Sequence, residues 1–113
     1  MENIKDIAIQ VIDTEARSIL RLKELLNDNF TKVVELILNS KGNVVVSGIG
    51  KSANIAQKIV ATLNSTGTTA VFMHAADAIH GDLGIIRDDD VVIIISQSGE
   101  TPEIKVLTPL IKI

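Results

Sequence analysis

At 113 residues the chain fills one domain of ordinary size, about 100–150 residues. Its net charge of −3 and its two aromatic residues exclude the basic, stacking surface of a nucleic-acid-binding protein. Because it has no cysteine, it forms neither disulfides nor thiolate metal sites. No apolar run approaches the roughly 20 residues of a membrane-spanning helix, so we expect a cytoplasmic protein without nucleic-acid or membrane partners.

Residues 1–40 are predicted to form two lead-in helices. Apolar residues recur at intervals of three and four between Ile4 and Leu26, which predicts one long amphipathic helix. The polar residues 27–29 are predicted to break it, and a second helix is predicted to begin at Thr31. That helix is predicted to end at residues 41–43, with Gly42 in the left-handed conformation that often follows a helix.

Residues 41–113 alternate strands and helices. Three continuous apolar runs predict strands, at residues 44–47, 69–73 and 91–96. Continuous apolar strands are typical of a parallel sheet that helices cover on both faces. Helices are predicted at residues 52–63, ending at Gly67, and from Pro102 onward, with a turn-rich segment at residues 75–86. This order predicts an α/β fold: a flavodoxin-like, doubly wound sheet with strand order 2-1-3 in three α/β/α layers.

The C-terminal residues predict a truncated chain. Residues 110–113 stop inside an apolar helical stripe without a capping residue. The third strand is apolar enough to be flanked on both sides, and an uncovered strand of that kind promotes aggregation. We therefore expect the N-terminal part of a longer polypeptide: lead-in helices over residues 1–40, then the first three strand–helix units over residues 41–113.

Two loops rich in glycine and hydroxyl groups carry the candidate chemistry. The first, SGIGKS, covers residues 47–52 after the first strand, and the second, SQSGET, covers residues 96–101 after the third. In strand order 2-1-3 both loops open at one edge of the sheet, where helix N-termini and backbone N–H groups favour a phosphate. The predicted phosphate ligands are Gly50, Ser52, Ser96, Gln97, Ser98 and Thr101.

Other interpretations of these loops remain open. The first loop also fits the dinucleotide fingerprint G-x-G-x-x-A, but the predicted second strand ends without the acidic residue that holds a ribose. A P-loop would need glycine where Val45 stands. The glycines are equally consistent with a tight strand-to-helix turn. Thr101 fits an N-cap before Pro102 as well as it fits a ligand.

Five charged or titratable residues are candidates near this edge: Lys51, Glu100, Glu103, His74 and His80. Lys51 opens a helix, where the helix dipole disfavours a cation, so a bound anion or sugar oxygen would explain it. Glu103 lies in a first helical turn, where acids are favoured for local reasons alone. His80 lies in a loop, where an isolated histidine is usually a surface residue. His74 and His80 lack the spacing of metal ligands on a helix, so we do not expect a metal site. We also expect no cofactor.

Residues 47–52, 80–84 (HGDLG) and 96–101 together resemble a sugar isomerase (SIS) domain. The serine loop is common to SIS domains, whereas Gly-Lys-Ser joined to His-Gly-Asp-Leu-Gly resembles the arabinose 5-phosphate isomerases more closely. The resemblance implies one SIS domain over residues 1–113, incomplete at its C-terminus, in an oligomer of tetrameric type. Relatives of this type continue for two further strands and take another glutamate and histidine from there.

The resemblance also implies a reaction and residue roles. Such enzymes interconvert ribulose 5-phosphate and arabinose 5-phosphate through a cis-enediol, for the synthesis of Kdo and lipopolysaccharide. Lys51 would contact the sugar near its carbonyl, Glu103 would transfer the proton, and His80 would line the site. For these residues alone we expect binding of the sugar phosphate rather than turnover. A non-catalytic, phosphosugar-sensing SIS module is the alternative, and it would need neither Lys51 nor Glu103.

Overall fold

The protein contains a three-stranded parallel sheet with helices on both faces, and its computed structural model describes residues 3–111. The strands, in the order β2-β1-β3, are β1 (Val44–Gly48), β2 (Ala70–His74) and β3 (Val91–Ile94). The helices are α1 (Ile4–Leu25), α2 (Asp28–Asn39), α3 (Lys51–Ser65), α4 (Ala75–Ile79) and α5 (Pro102–Ile111), with a 3-10 turn at Asp82–Ile85. The predicted doubly wound sheet and its strand order are confirmed.

The central strand β1 links two cores, one on each face of the sheet. Because successive side chains in a strand point to opposite faces, Val44 and Val46 pack with Ala56 of α3. Val45 packs on the other face with Leu107 of α5. All five residues of β1 are buried, and each buried valine contributes about 1.5–3 kcal/mol to stability. The two cores produce the predicted three-layer arrangement.

Close packing and a left-handed glycine fix the ends of α3. A Cβ atom added at Gly48 would lie 2.9 Å from the carbonyl carbon of Ser52, so only glycine allows the helix to start this close to β1. At its C-terminal end α3 stops at Ser65, and Gly67 has a φ of 96°, as predicted for a helix stop.

The described chain divides into two units, one up to Glu35 and one from Leu36. In the first unit, α1 confirms the predicted long helix, and the Asn3 side chain caps it by accepting a hydrogen bond from the Lys5 N–H at 2.8 Å. The predicted start of α2 at Thr31 is wrong. The helix begins at Asp28, because the side-chain oxygen of Asn27 accepts the Asn29 N–H at 3.0 Å and so caps a new helix.

Gly42 does not adopt the predicted left-handed conformation, since its φ angle is not positive. Its requirement is space: a Cβ atom there would lie 2.4 Å from the carbonyl oxygen of Asp89. The neighbouring Asn43 N–H donates to the Asp90 carboxylate at 2.8 Å. Gly42 therefore lets the chain before β1 pass close to the turn before β3.

Two boundaries in the second half differ from prediction. Residues 75–86 contain α4 and a 3-10 turn rather than turns alone, since the His74 ring caps α4 by accepting the Ala76 N–H at 3.2 Å. Strand β3 ends at Ile94 instead of residue 96, and its residues are only half-buried because it lies at the edge of the described sheet. The prediction that residues 110–113 stop inside a helical stripe without a capping residue lies partly outside the described residues, which include α5 as far as Ile111.

The helices in residues 3–111 are either too short or too polar to cross a bilayer.

Candidate functional site

The two predicted loops leave the sheet from neighbouring positions. Ser47 of β1 is aligned with Ile94 of β3, and the Ile95 N–H donates to the Ser47 carbonyl at 2.9 Å. Both strands are parallel, so the loops that follow them open at the same C-terminal edge of the sheet. Open α/β sheets bind ligands at such an edge. The structure therefore brings together the loops at residues 47–52 and 96–101.

The first loop presents an open helix N-terminus. Gly50 has φ 60° and ψ −130°, a conformation that residues with a Cβ atom rarely adopt, and no side chain caps α3. Its carbonyl accepts the Ala53 N–H at 3.1 Å. The N–H groups of Lys51 and Ser52 belong to the first helical turn, which has no intrahelical partners for them, so they are suited to bind an anion.

Lys51 is exposed at this helix start, as predicted. Within residues 3–111 its ammonium group takes part in no salt bridge. The positive end of the α3 dipole lies at the same place, so two positive features coincide there. A bound anion would relieve the unfavourable position of the lysine.

Hydroxyl groups shape the second loop. Ser96 Oγ accepts the Gly99 N–H at 2.9 Å and lies 3.4 Å from Thr101 Oγ1. Ser98 Oγ accepts the Glu100 N–H at 3.0 Å. Each of these hydroxyls has an O–H proton in addition to the lone pair that it uses, so a hydroxyl that accepts can still donate to an anion.

These hydrogen bonds correct part of the sequence interpretation. From the sequence alone, two hydroxyls that alternate at the end of a buried strand are predicted to face the same side and not to be needed for folding; here these are Ser96 and Ser98. Both lie beyond the end of β3, and each holds the loop through a backbone N–H. Thr101 pairs with Ser96, and its carbonyl accepts the Lys105 N–H at 3.0 Å, so it also belongs to the start of α5.

The remaining residues of the second loop differ in exposure. Gln97 is exposed, and Gly99 has a φ of 71°. Glu100 forms an exposed salt bridge with Lys105 at 2.6 Å, worth at most about 1 kcal/mol in solvent. Glu103 is half-buried in the first turn of α5, at the predicted position. Of the two glutamates, Glu103 is thus the one shielded from solvent.

His80 does not lie at the strand ends. The residue aligned with Gly48 at the sheet edge is His74, which caps α4. His80 follows α4, about 9 Å further along the helix axis, and its side chain is exposed. Its backbone N–H donates to the Asp77 carbonyl at 3.0 Å, so its placement at the end of α4 is fixed by main-chain contacts.

Ser47 is a feature for which the sequence analysis gave no role. Its side chain is fully buried, and its Oγ has no hydrogen-bond partner in the described chain. Alternation along β1 places it on the same face as Val45, the face that α4 and α5 cover. A serine at the end of three valines is the only sign of this in the sequence.

Other features of the described residues do not compete with this edge. No group of three potential metal-ligating side chains occurs within residues 3–111. A cleft of about 400 Å³ lies at the opposite end of β3, where Asp90, Val92 and Leu110 line it. Its walls are built from the polar turn before β3 and from the end of α5, away from the hydroxyl loop.

Comparison with known proteins decides the family. The model of the SIS domain matches residues 36–112. The chain belongs to the SIS-domain family. The arabinose 5-phosphate isomerase KdsD of Pseudomonas aeruginosa is 50% identical over 105 residues, which are 93% of this chain and 32% of that protein. The arabinose 5-phosphate isomerase GutQ of Escherichia coli K12 is 49% identical over 100 residues, 88% of this chain and 31% of that protein.

Solved structures agree with this SIS-domain assignment. The Escherichia coli CFT073 protein c3406, solved in complex with arabinose 5-phosphate, superposes with a TM-score of 0.80 at 38% identity, over 98% of this chain and 61% of that one. A Bacteroides fragilis protein, a candidate phosphosugar isomerase involved in capsule formation, gives a TM-score of 0.89 at 39% identity, over 96% and 58%. The chain thus spans about a third of its curated relatives and about three fifths of these structures.

Proposed function

We propose that this SIS domain supplies the phosphosugar-binding loops of an arabinose 5-phosphate isomerase, which interconverts ribulose 5-phosphate and arabinose 5-phosphate. The observation that carries the proposal is the junction of the two loops: the Ile95 N–H donates to the Ser47 carbonyl, so the loop before α3 and the loop with the Ser96–Thr101 hydroxyl pair leave the sheet from adjoining strand ends. The similarity to a protein solved with arabinose 5-phosphate supports the choice of ligand.

In this proposal the phosphate binds between the loops. The N–H groups that follow Gly50 bind its oxygens at the start of α3. Four hydroxyl side chains also donate to these oxygens: Ser52, Ser96, Ser98 and Thr101. Gln97, which is exposed, contributes at the rim of the site. Because the loop is already shaped by its own hydrogen bonds, little conformational freedom is lost when the anion binds.

The isomerisation requires a base and a charge-stabilising group. From the aldose, a base removes the C2 proton, the electron pair forms a C1–C2 double bond, and the C1 carbonyl oxygen takes up a proton from the group that hydrogen-bonds to it, which gives the enediol. The protonated base then returns its proton to C1, the C2 hydroxyl loses its proton as the C2 carbonyl forms, and the product is the ketose. We assign the base to the half-buried Glu103 and the stabilisation of the developing oxyanion to the Lys51 ammonium group. His80 would line the sugar end of the site.

The remaining parts of the proposal rest on the resemblance to this family. The domain would extend over the whole chain and continue beyond it, the protein would act as a homo-oligomer in the cytoplasm, and its product would enter Kdo and lipopolysaccharide synthesis. Neither a metal nor an organic cofactor takes part in the proposed proton transfer.

A lysine substitution tests the catalytic assignment. In the protein that carries these residues, Lys51→Ala is expected to lower turnover about 10²–10³-fold, because a donor to the developing oxyanion is lost, while most affinity for the sugar phosphate remains. Lys58→Ala is the matched control, since Lys58 is an exposed lysine of the same helix. Equal turnover in the two variants would refute the role of Lys51.

A titration separates the proposal from the alternatives. Calorimetry of the chain with arabinose 5-phosphate, arabinose and NAD is expected to show binding of the phosphorylated sugar only. Binding of NAD would favour a dinucleotide enzyme. Tight binding of the sugar phosphate by a protein that shows no turnover would favour the phosphosugar-sensing module.

A further inference from the structure

His74 ends the strand that lies beside the first loop. It is aligned with Gly48, the last residue of β1, so it lies at the same edge of the sheet as the two loops. Neighbouring strands lie about 5 Å apart, and β1 is the middle strand. This edge therefore presents three features in a row: the hydroxyl loop after β3, the glycine loop after β1 and His74 at the end of β2.

The ring of His74 lies on the face of the sheet that α3 covers. Alternation along β2 places it on the same face as Phe72, which packs against the apolar cluster under α3. The centroids of the two rings are 6.2 Å apart. On this face the start of α3 packs directly on Gly48, because a Cβ atom there would lie 2.9 Å from the carbonyl carbon of Ser52. The imidazole is thus a lateral neighbour of the first turn of α3.

One nitrogen of the His74 ring is used within the fold, and the other is open. Nδ1 accepts the Ala76 N–H at 3.2 Å and caps α4, so the ring proton is on Nε2. Nε2 donates to no acceptor among residues 3–111. It is not buried either, since Ser47 Oγ is the one buried polar side-chain atom without a partner in that range. The half-buried ring therefore holds an oriented N–H donor that a ligand can reach.

The order of the strand ends sets the direction of the sugar in the proposed site. The phosphate is placed between the loops that follow β3 and β1. Lys51, which we assign to the carbonyl end of the sugar, opens the helix that follows β1. The carbon chain therefore extends from β3 towards β1 and on towards β2. An open-chain sugar has an oxygen on every carbon, and the end of β2 has the His74 donor.

We infer that His74 is a further substrate-contacting residue, whose Nε2–H donates to an oxygen at the carbonyl end of the sugar. The inference rests on the proposed function and adds a residue to the site. A neutral donor in a fixed position selects an oxygen without adding a charge. A site that hydrogen-bonds a substrate oxygen discriminates against ligands that lack it, so His74 distinguishes a sugar phosphate from inorganic phosphate.

Two amide substitutions separate the cap of α4 from the open donor. In His74→Asn the side-chain oxygen replaces Nδ1 as the cap, since asparagine is a preferred N-cap residue, but the Nε2–H is lost. In His74→Gln the longer amide replaces the Nε2–H, but the cap is lost. Arabinose 5-phosphate and inorganic phosphate are titrated calorimetrically into the protein that carries these residues. Hydrogen exchange at the Ala76 amide reports on the cap.

His74→Asn is expected to bind arabinose 5-phosphate about 3–10-fold more weakly, which is the effect of one neutral hydrogen bond. Its affinity for inorganic phosphate and the exchange rate of its Ala76 amide should equal those of the unaltered protein. His74→Gln is expected to show the reverse. Its Ala76 amide should exchange faster, while its affinity for arabinose 5-phosphate stays close to that of the unaltered protein.

The other outcomes decide against the inference. His74→Asn with an intact cap and unaltered affinity for arabinose 5-phosphate would overturn it. An equal loss of affinity for inorganic phosphate would also overturn it, because His74 would then act on the phosphate loops. An unaltered protein that binds neither ligand would overturn the proposed phosphate site together with this inference. Failure of His74 alone is therefore distinguishable from failure of the proposed function.

Discussion

Two serines on adjoining strand ends should respond to the same substitution with opposite signs. Ser47 Oγ is fully buried and has no hydrogen-bond partner among residues 3–111, whereas Ser96 Oγ accepts the Gly99 N–H at 2.9 Å and lies 3.4 Å from Thr101 Oγ1. A buried hydroxyl without a partner destabilises the fold by about 1–3 kcal/mol. Ser47→Ala removes that hydroxyl and leaves the buried Cβ atom in place. Ser96→Ala deletes the partner of a backbone N–H.

We expect Ser47→Ala to raise the free energy of unfolding by about 1 kcal/mol. This value lies at the lower end of the range, because the packing contacts of the removed oxygen are lost at the same time. For a chain of this size that corresponds to an increase of about 4 °C in Tm. Ser96→Ala is expected to lower the free energy of unfolding by about 1 kcal/mol, since its loop is partly exposed to water.

Urea denaturation followed by circular dichroism measures both changes, and equal m-values would show that the unfolded ensembles are comparable. A Ser47→Ala variant that is less stable than the unaltered chain would contradict the reasoning, because it would mean that the Ser47 hydroxyl has a partner in solution.

Two further substitutions test the fold. Gly42→Ala is expected to lower the free energy of unfolding by about 1–3 kcal/mol, because its Cβ atom would lie 2.4 Å from the Asp89 carbonyl oxygen. The midpoint of urea denaturation measures this change. Gly84→Ala is the control, since a Cβ atom at Gly84 would meet open space. The Asn64 side chain accepts the Ala70 N–H at 2.8 Å and donates to the Ala70 carbonyl at 3.1 Å. Asn64→Ala is therefore expected to lower the free energy of unfolding by about 2 kcal/mol and to speed hydrogen exchange at the Ala70 amide. An unchanged exchange rate at Ala70 would contradict that assignment.

The order of elements and the sheet topology follow from patterns that are local in the sequence. Each apolar run is long enough for one strand, each intervening segment is long enough for a crossover, and right-handed crossovers leave few arrangements. The position of the two loops at one edge follows from the strand order alone. These parts of the fold and of the candidate site therefore follow from the sequence alone.

The features that were mispredicted depend on contacts between distant residues or on competing local roles. Asn27 was expected to interrupt a helix, whereas its side chain caps the next one, and asparagine is common in both settings. Gly42 is required by Asp89, which lies 47 residues later, so no local pattern reveals it. The lack of a partner for Ser47 depends on two helices that fold over it from later in the chain.

The central position of β1 has a consequence for how the protein emerges from the ribosome. Its first neighbour, β2, starts 26 residues later, from Val44 to Ala70, and its second neighbour, β3, starts another 21 residues later, at Val91. At about 5–20 residues per second, β1 waits on the order of one to several seconds with one side unpaired. The proposed phosphate site is assembled last, because it needs the segment that follows β3, and a shorter nascent chain lacks one of its two loops.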